Sequence, residues 1–213
     1  MNRSEVMPVA FRHLTDKIGY YPAREQPLSA EVAVIAGDSG WWIFDAGAAE
    51  DVASAVRALP GERRLIISHF HQDHMACREQ MLCREIYASP HTLRYTSRCT
   101  PVTEPLILRD GVTLRLFPLP SSHARGCLGL ETEGFALLGD GLYACVKQGR
   151  RAYNASVLAE TLRTLEGLQA DQLLLSHDFS HVRSRAEVMA ELESVYARRK
   201  PGEPYILLDE QSQ

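Results

Sequence analysis

No stretch of this chain approaches the roughly 20 consecutive apolar residues of a membrane-spanning helix, so the sequence offers no helical anchor. The opening Met1-Asn2-Arg3-Ser4-Glu5 leads into no apolar signal segment. Cysteine is sparse. Cys77, Cys83, Cys99, Cys127 and Cys145 are odd in number and lack the spacing of a disulfide framework, so we expect free thiols and a cytoplasmic location. Positive charge is not in excess either: 23 Lys and Arg stand against 27 Asp and Glu, which gives no footprint for nucleic acid. The short run Arg198-Arg199-Lys200 is expected to favour a helix C-terminus instead. There is no internal repeat and no dividing linker, and residues 1–213 are read as one domain. Neither a membrane nor a nucleic acid is expected as partner.

Hydrophobic patterning supplies the elements. A strand is expected from Met7 to His13, then loop through Gly19-Tyr20-Tyr21-Pro22 and Arg24-Glu25-Gln26-Pro27. Val32–Ala36 and Trp41–Phe44 flank the turn cluster Gly37-Asp38-Ser39-Gly40 and predict a hairpin. Val52, Val56 and Leu59 have helical spacing, ended by Pro60-Gly61. Leu65–Ile67 reads as a strand, Met75–Cys83 as a short helix and Glu85–Ala88 as a strand. Val112–Leu119 alternates as a strand, and Cys127–Thr132 with Phe135–Leu138 forms a second hairpin. Asn154 caps a helix carrying Leu158, Leu162 and Leu165. Gln172–Leu175 is a strand, Val188, Leu192 and Val195 mark a last helix, and Tyr205–Leu208 closes as a strand. Such a mixture predicts a layered α/β domain. Residues 14–30 and 92–110 have no decodable motif and are expected to shape a cleft.

The run His69-Phe70-His71-Gln72-Asp73-His74 places four potential metal ligands within six residues, after the apolar segment Leu65-Ile66-Ile67. His123, Asp140 and His177 each follow a strand-like segment. Imidazole and carboxylate are the ligand types of catalytic zinc sites, and strand ends are rigid places from which to converge them. His13, His91 and His181 stand outside this pattern and are read as ordinary surface or core residues.

With these residues in view, the chain resembles the metallo-β-lactamase superfamily. His69–His74 matches its H-x-H-x-D-H signature, and Phe44-Asp45-Ala46-Gly47, His123-Ala124-Arg125-Gly126, Leu138-Gly139-Asp140 and Ser176-His177 match further elements in order. The resemblance implies an α/β four-layer αβ/βα sandwich. It assigns His69, His71 and His123 to one divalent ion and Asp73, His74 and His177 to a second, with Asp140 bridging and Asp45 orienting a ligand. Zinc is the implied ion, with iron or manganese as alternatives. It further implies hydrolysis of a small-molecule thioester, lactone or related ester by a metal-bridging hydroxide, as in glyoxalase II-like or lactonase-like members. Asp73 and Tyr143 would be the catalytic residues, the first orienting the nucleophile and the second donating to the substrate or leaving group.

Two departures from the pattern stand out: Ala76-Cys77 where Gly-Gly is common, and Arg125 where the third histidine is usually followed by Thr-Pro. Arg125 is a candidate for favouring an anionic substrate, and Lys147 and Tyr153 are weaker candidates for binding a carboxylate. Cys77 and Cys127 are candidates for redox-sensitive thiols near the metals. The short stretch after His177 leads us to expect no separate substrate domain. Two other readings share the motif set. One is a mononuclear iron, persulfide dioxygenase-like oxidoreductase using His69, His123 and Asp140, and the other is a non-catalytic metal-binding or sensing module.

Overall fold

The computed structural model describes residues 10–178 and 182–208. Two β-sheets face each other at its centre. The first runs in spatial order Arg12–His13, Ile18–Tyr21, Val32–Ala36, Gly40–Phe44, Glu62–Ile66, Glu85–Ala88 and Thr100–Pro101. The second runs Leu106–Arg109, Thr113–Leu119, Cys127–Thr132, Phe135–Gly139, Gln172–Leu175 and Val182–Ser184. A small sheet joins Cys145–Lys147, Arg150–Asn154 and Tyr205–Leu207, and Arg24–Glu25 pairs with Leu28–Ser29. The α-helices among the described residues are α1 (Glu50–Arg57), α2 (Gln72–Met75), α3 (Ala155–Glu166) and α4 (Arg185–Ala197).

Side chains alternate along a strand, and here both faces are apolar. Ala33, Ile35, Trp42, Phe44 and Ile66 point between the sheets and meet Leu114, Leu116, Leu128, Leu130, Leu137 and Leu174. Their neighbours Val32, Val34, Ile43, Leu65 and Ile67 point outward, under Val52, Ala53 and Val56 of α1. On the opposite side Phe117, Leu119, Ala136, Leu138, Leu173 and Leu175 pack with Leu158 and Leu165 of α3 and Val188 and Leu192 of α4. Each buried Val, Leu or Ile among them contributes about 1.5–3 kcal/mol. The layers are therefore helix, sheet, sheet, helix: the expected αβ/βα sandwich.

Strand direction positions the site. Gly40–Phe44, Glu62–Ile66 and Glu85–Ala88 run parallel, with α1 crossing between the first two. Phe135–Gly139 and Gln172–Leu175 are also parallel, with α3 between them. Parallel neighbours require such crossovers, and their C-terminal ends consequently gather at one edge, the usual ligand-binding edge of an α/β sheet. Asp45, Ser68, Asp140 and Ser176 all lie just beyond those ends.

Several elements differ from expectation. Ile18–Tyr21 is a strand buried at every residue, registered Ile18 to Ile35, not a loop. Its aromatic residues act as sheet formers despite the adjoining glycine and proline. The helix expected over Met75–Cys83 is α2 one turn earlier, followed by turns. Residues 92–110 contain a single 3-10 turn, Thr92–Arg94, and two short strands. Cys145–Lys147 and Arg150–Asn154 were not anticipated as strands. Asn154 caps α3 as expected, its side chain accepting from the Ser156 and Val157 N–H groups. Arg198 is the C-terminal cap of α4, in line with the basic run. Residues 7–9 of the expected first strand and His181 lie outside the described residues; within them Arg12–His13 is extended.

Candidate metal centre

The ligand motif occupies the turn that follows Glu62–Ile66. His69 lies three residues past the strand end, His71 is the N-terminal cap of α2, and the single turn of α2 carries Asp73 and His74. The turn is clamped from outside. The Ala30 N–H donates to the Asp73 carbonyl at 2.9 Å and the Ala46 N–H to the His74 carbonyl at 2.7 Å. At the same edge the Leu128 N–H of the second sheet donates to the Ser68 carbonyl at 2.8 Å, which joins the two sheets beside His69.

Seven side chains from the two sheets converge. His69, His71, His123 and Asp140 each offer one ligand atom, all within 4.8 Å of one another, and Asp73, His74, Asp140 and His177 do the same. Asp140 belongs to both groups. One of its oxygens, Oδ2, lies 3.3 Å from His123 Nε2 and 3.3 Å from His74 Nε2. His71 Nδ1 lies 3.1 Å from His123 Nε2, and His177 Nε2 lies 3.1 Å from Asp73 Oδ2. The Nε2 atoms of His69 and His74 and Oδ1 of Asp140 are buried with no hydrogen-bond partner. Buried polar atoms are normally satisfied, so three orphans at one point, all of metal-ligating type, fit a bound cation. Nitrogen and carboxylate oxygen donors suit zinc or iron. His13 and His91 are in neither group.

Asp45 anchors the centre from below. It is fully buried and takes hydrogen bonds of 2.7 Å from both the backbone N–H and the hydroxyl of Ser68, while His74 Nδ1 stands 2.7 Å from its Oδ2. The Ser68 hydroxyl is also 3.0 Å from His69 Nδ1. Such contacts orient the ring nitrogens that remain for a metal. Asp45 and His177 both have left-handed backbone, φ 63° and 60°, a conformation costly for non-glycine residues and often found at functional sites. Gly139 explains how Asp140 comes so close: at φ 54°, a β-carbon there would meet the Ser68 side chain at 2.8 Å.

Burial and the neighbouring charges set the electrostatics of these side chains. Burial, reinforced by neighbouring imidazoles, pushes His69 down; burial also lowers His71 and His123. Burial opposes the charged form of His74 too, but the Asp45 and Asp140 carboxylates override it and raise this imidazole to about 10. Asp73 is held below the usual carboxylate range: burial works against that, and the hydrogen bond from His177 outweighs it.

The remaining candidates are placed as follows. The Tyr143 hydroxyl donates to the Ser176 carbonyl at 2.5 Å, so in this conformation its proton faces the backbone of the His177 turn. Tyr153 is buried and donates to the Leu142 carbonyl at 2.9 Å, which removes it as a carboxylate binder. Lys147 stands over the Tyr205 ring at 4.9 Å. Arg125 is exposed. Cys77 and Cys127 are buried, and burial raises both thiols, Cys127 to about 12, so neither has the thiolate character of a redox sensor. Sequence reasoning missed Ser68 and Glu31. Ser68 was legible only as a small polar residue closing an apolar strand. Glu31 is 4% exposed, and burial, then the nearby Asp178, raises its carboxyl to about 8; its signal was a charge inside Ala30-Glu31-Val32.

No family model and no curated protein matches the chain. Solved structures do. A B3 metallo-β-lactamase with an active-site glutamic acid superposes with a TM-score of 0.68 at 15% identity, covering 91% of this chain and 93% of that one. An archaeal metallo-β-lactamase superfamily protein from Sulfolobus tokodaii gives 0.63 at 17% identity, with 89% and 90% covered. A diiron chemotaxis sensor gives 0.67 at 13%, with 86% and 94% covered. Layer order, strand-end site and these superpositions agree that the chain has the metallo-β-lactamase fold.

Proposed function

We propose that this protein is a metal-dependent hydrolase acting on a small thioester, lactone or related ester. The observation that carries the reading is the pair of ligand groups sharing Asp140. Two divalent ions held there would supply Lewis acidity and would make bound water acidic enough to attack a carbonyl at neutral pH. His69, His71 and His123 would hold one ion, and Asp73, His74 and His177 the other. Asp73, ionised as a metal ligand would be, could use its other carboxylate oxygen to accept a hydrogen bond from the nucleophile and fix its direction. The Tyr143 hydroxyl, by holding the Ser176 carbonyl, keeps His177 in place, and it reaches a substrate only by leaving that carbonyl. A small-molecule substrate and zinc are part of this proposal.

The test is a panel of thioesters and lactones with protein loaded separately with zinc, manganese or iron. Turnover that is lost on chelation, restored by metal and abolished in Asp140→Ala supports the reading; absence of stoichiometric metal, with no metal-dependent turnover, refutes it. A second reading draws on the diiron proteins with the same fold, among them the chemotaxis sensor and a flavo di-iron protein from Thermotoga maritima. Iron retained through purification, with oxygen uptake and no hydrolysis, would select it.

A further inference from the structure

A continuous line of rings leads from the metal ligands to the surface. The His123 and His71 rings have centroids 4.8 Å apart, and Phe70 meets His71 at 4.8 Å, edge-on. Tyr95 lies flat on Phe70, at 4.6 Å and 14°, and His91 closes the cluster at 5.1 Å from Phe70. Tyr95 is nonetheless 48% exposed, so one face rests on Phe70 while much of the remaining ring meets solvent. Its hydroxyl makes no hydrogen bond among the described residues. An exposed aromatic ring is unremarkable alone. This one is a single ring removed from a ligand histidine; among the described residues Phe11, also exposed, pairs with His13 and Tyr21, away from the ligands.

The turn bearing Arg125 is packed on the same cluster. Gly126, at φ 72°, sits so close that a β-carbon there would lie 2.5 Å from the Ser89 hydroxyl and 2.6 Å from His91 Cβ. That close approach brings the Arg125 backbone to the flank of the rings. Arg125 is exposed and makes no ion pair or hydrogen bond among the described residues. A flat apolar surface with a phenol edge, with an arginine on the turn packed beside it, is suited to a planar group carrying negative charge.

We propose that Phe70 and Tyr95 form a specificity shelf for the non-reacting end of the substrate, a flat aromatic group, and that Arg125 selects an anionic substituent on it. The proposal rests on the hydrolase reading for what reacts, but the shelf is a binding surface and is testable without turnover. The probes are acetate, 2-naphthoate and naphthalene-2,6-dicarboxylate, titrated calorimetrically into the metal-loaded 213-residue chain. All three offer a carboxylate to the metals, so differences among them report the shelf.

The wild type should bind 2-naphthoate about tenfold more tightly than acetate. The dicarboxylate should gain a further threefold to fivefold, or about that, at low salt. Tyr95→Ala should collapse the naphthoate preference while Tyr95→Phe retains it, and Arg125→Gln should remove only the dicarboxylate gain. A wild-type naphthoate-to-acetate ratio near one overturns the shelf, whatever the variants do. So does an unchanged ratio in folded Tyr95→Ala. An unchanged dicarboxylate gain in Arg125→Gln overturns the role of the arginine. Ring preference without metal-dependent hydrolysis would sink the hydrolase reading alone; hydrolysis without ring preference would sink the shelf alone.

Discussion

Asp45→Asn asks whether the carboxylate beneath the motif sets the metal-binding form of His74. Asparagine conserves volume and tolerates the left-handed backbone found at this position, φ 63°. Its carbonyl oxygen can still accept from the Ser68 N–H. What changes is the group facing His74 Nδ1 and the Ser68 hydroxyl, now an amide NH2 in place of a carboxylate oxygen 2.7 Å from each. A carboxylate favours the tautomer with hydrogen on Nδ1 and a free lone pair on Nε2. The amide donates to Nδ1, so the hydrogen moves to Nε2, where it competes with the ion. Losses of about 10–100-fold in metal affinity are typical for such orienting partners, which is about 1.4–2.8 kcal/mol. The effect should fall on an ion that Asp73, His74 and His177 would hold, while one at His69, His71 and His123 would change less. Competition titration with a chromophoric chelator, resolving two binding steps, is the measurement. Two steps with wild-type affinities would show that Asp45 is a turn residue and that the tautomer argument is wrong.

Three other outcomes follow from the same geometry. Because Glu31 is raised from 4.5 to about 8, the metal-free fold holds a proton that the unfolded chain releases. Its contribution is complete below pH 4.5 and is lost as pH rises toward 8, at about 1.4 kcal/mol per pH unit; Glu31→Gln should flatten that slope in denaturant titrations of chelated protein, and parallel curves would refute it. His74, raised to about 10, must lose its proton to bind a metal, so metal uptake at pH 8 should release it and affinity should climb with pH, read as heats that depend on buffer ionisation. Leu130→Ala, between the sheets and fully buried, should cost about 2–5 kcal/mol in unfolding free energy while metal stoichiometry stays as in the wild type.

Much of this was legible in the sequence because several signals agreed. Val32–Ala36, apolar at every position and followed by a turn cluster, reads as one strand of a hairpin, and it pairs with Gly40–Phe44 as such. The ligand residues stood out because four metal-binding side chains within six positions serve no packing purpose. Other features depend on distant partners and leave no local trace. Ile18–Tyr21 looked like a loop because its sheet partner, Val32–Ala36, supplies the order that a Gly-Tyr-Tyr-Pro segment lacks alone. Tyr153 and Lys147 seemed available to a substrate, yet one is buried against the Leu142 carbonyl and the other lies over Tyr205. Tyr95 sits in a stretch with no periodicity, and only its stacking on Phe70 gives it meaning.

The seam between the sheets has a consequence for assembly. His69 to His74 come from the first sheet; His123, Asp140 and His177 come from the second, and Asp73 meets His177 across 104 positions of sequence. Neither half can form a complete coordination sphere by itself. Closing so long a separation is an entropic cost that local contacts do not repay, so metal capture should come late, after the halves have docked. An ion bound there would act as a rivet across that joint: it would stabilise only the docked form, and stripping it should first loosen amide protection along Ser68–Leu128 rather than in the sheet interiors.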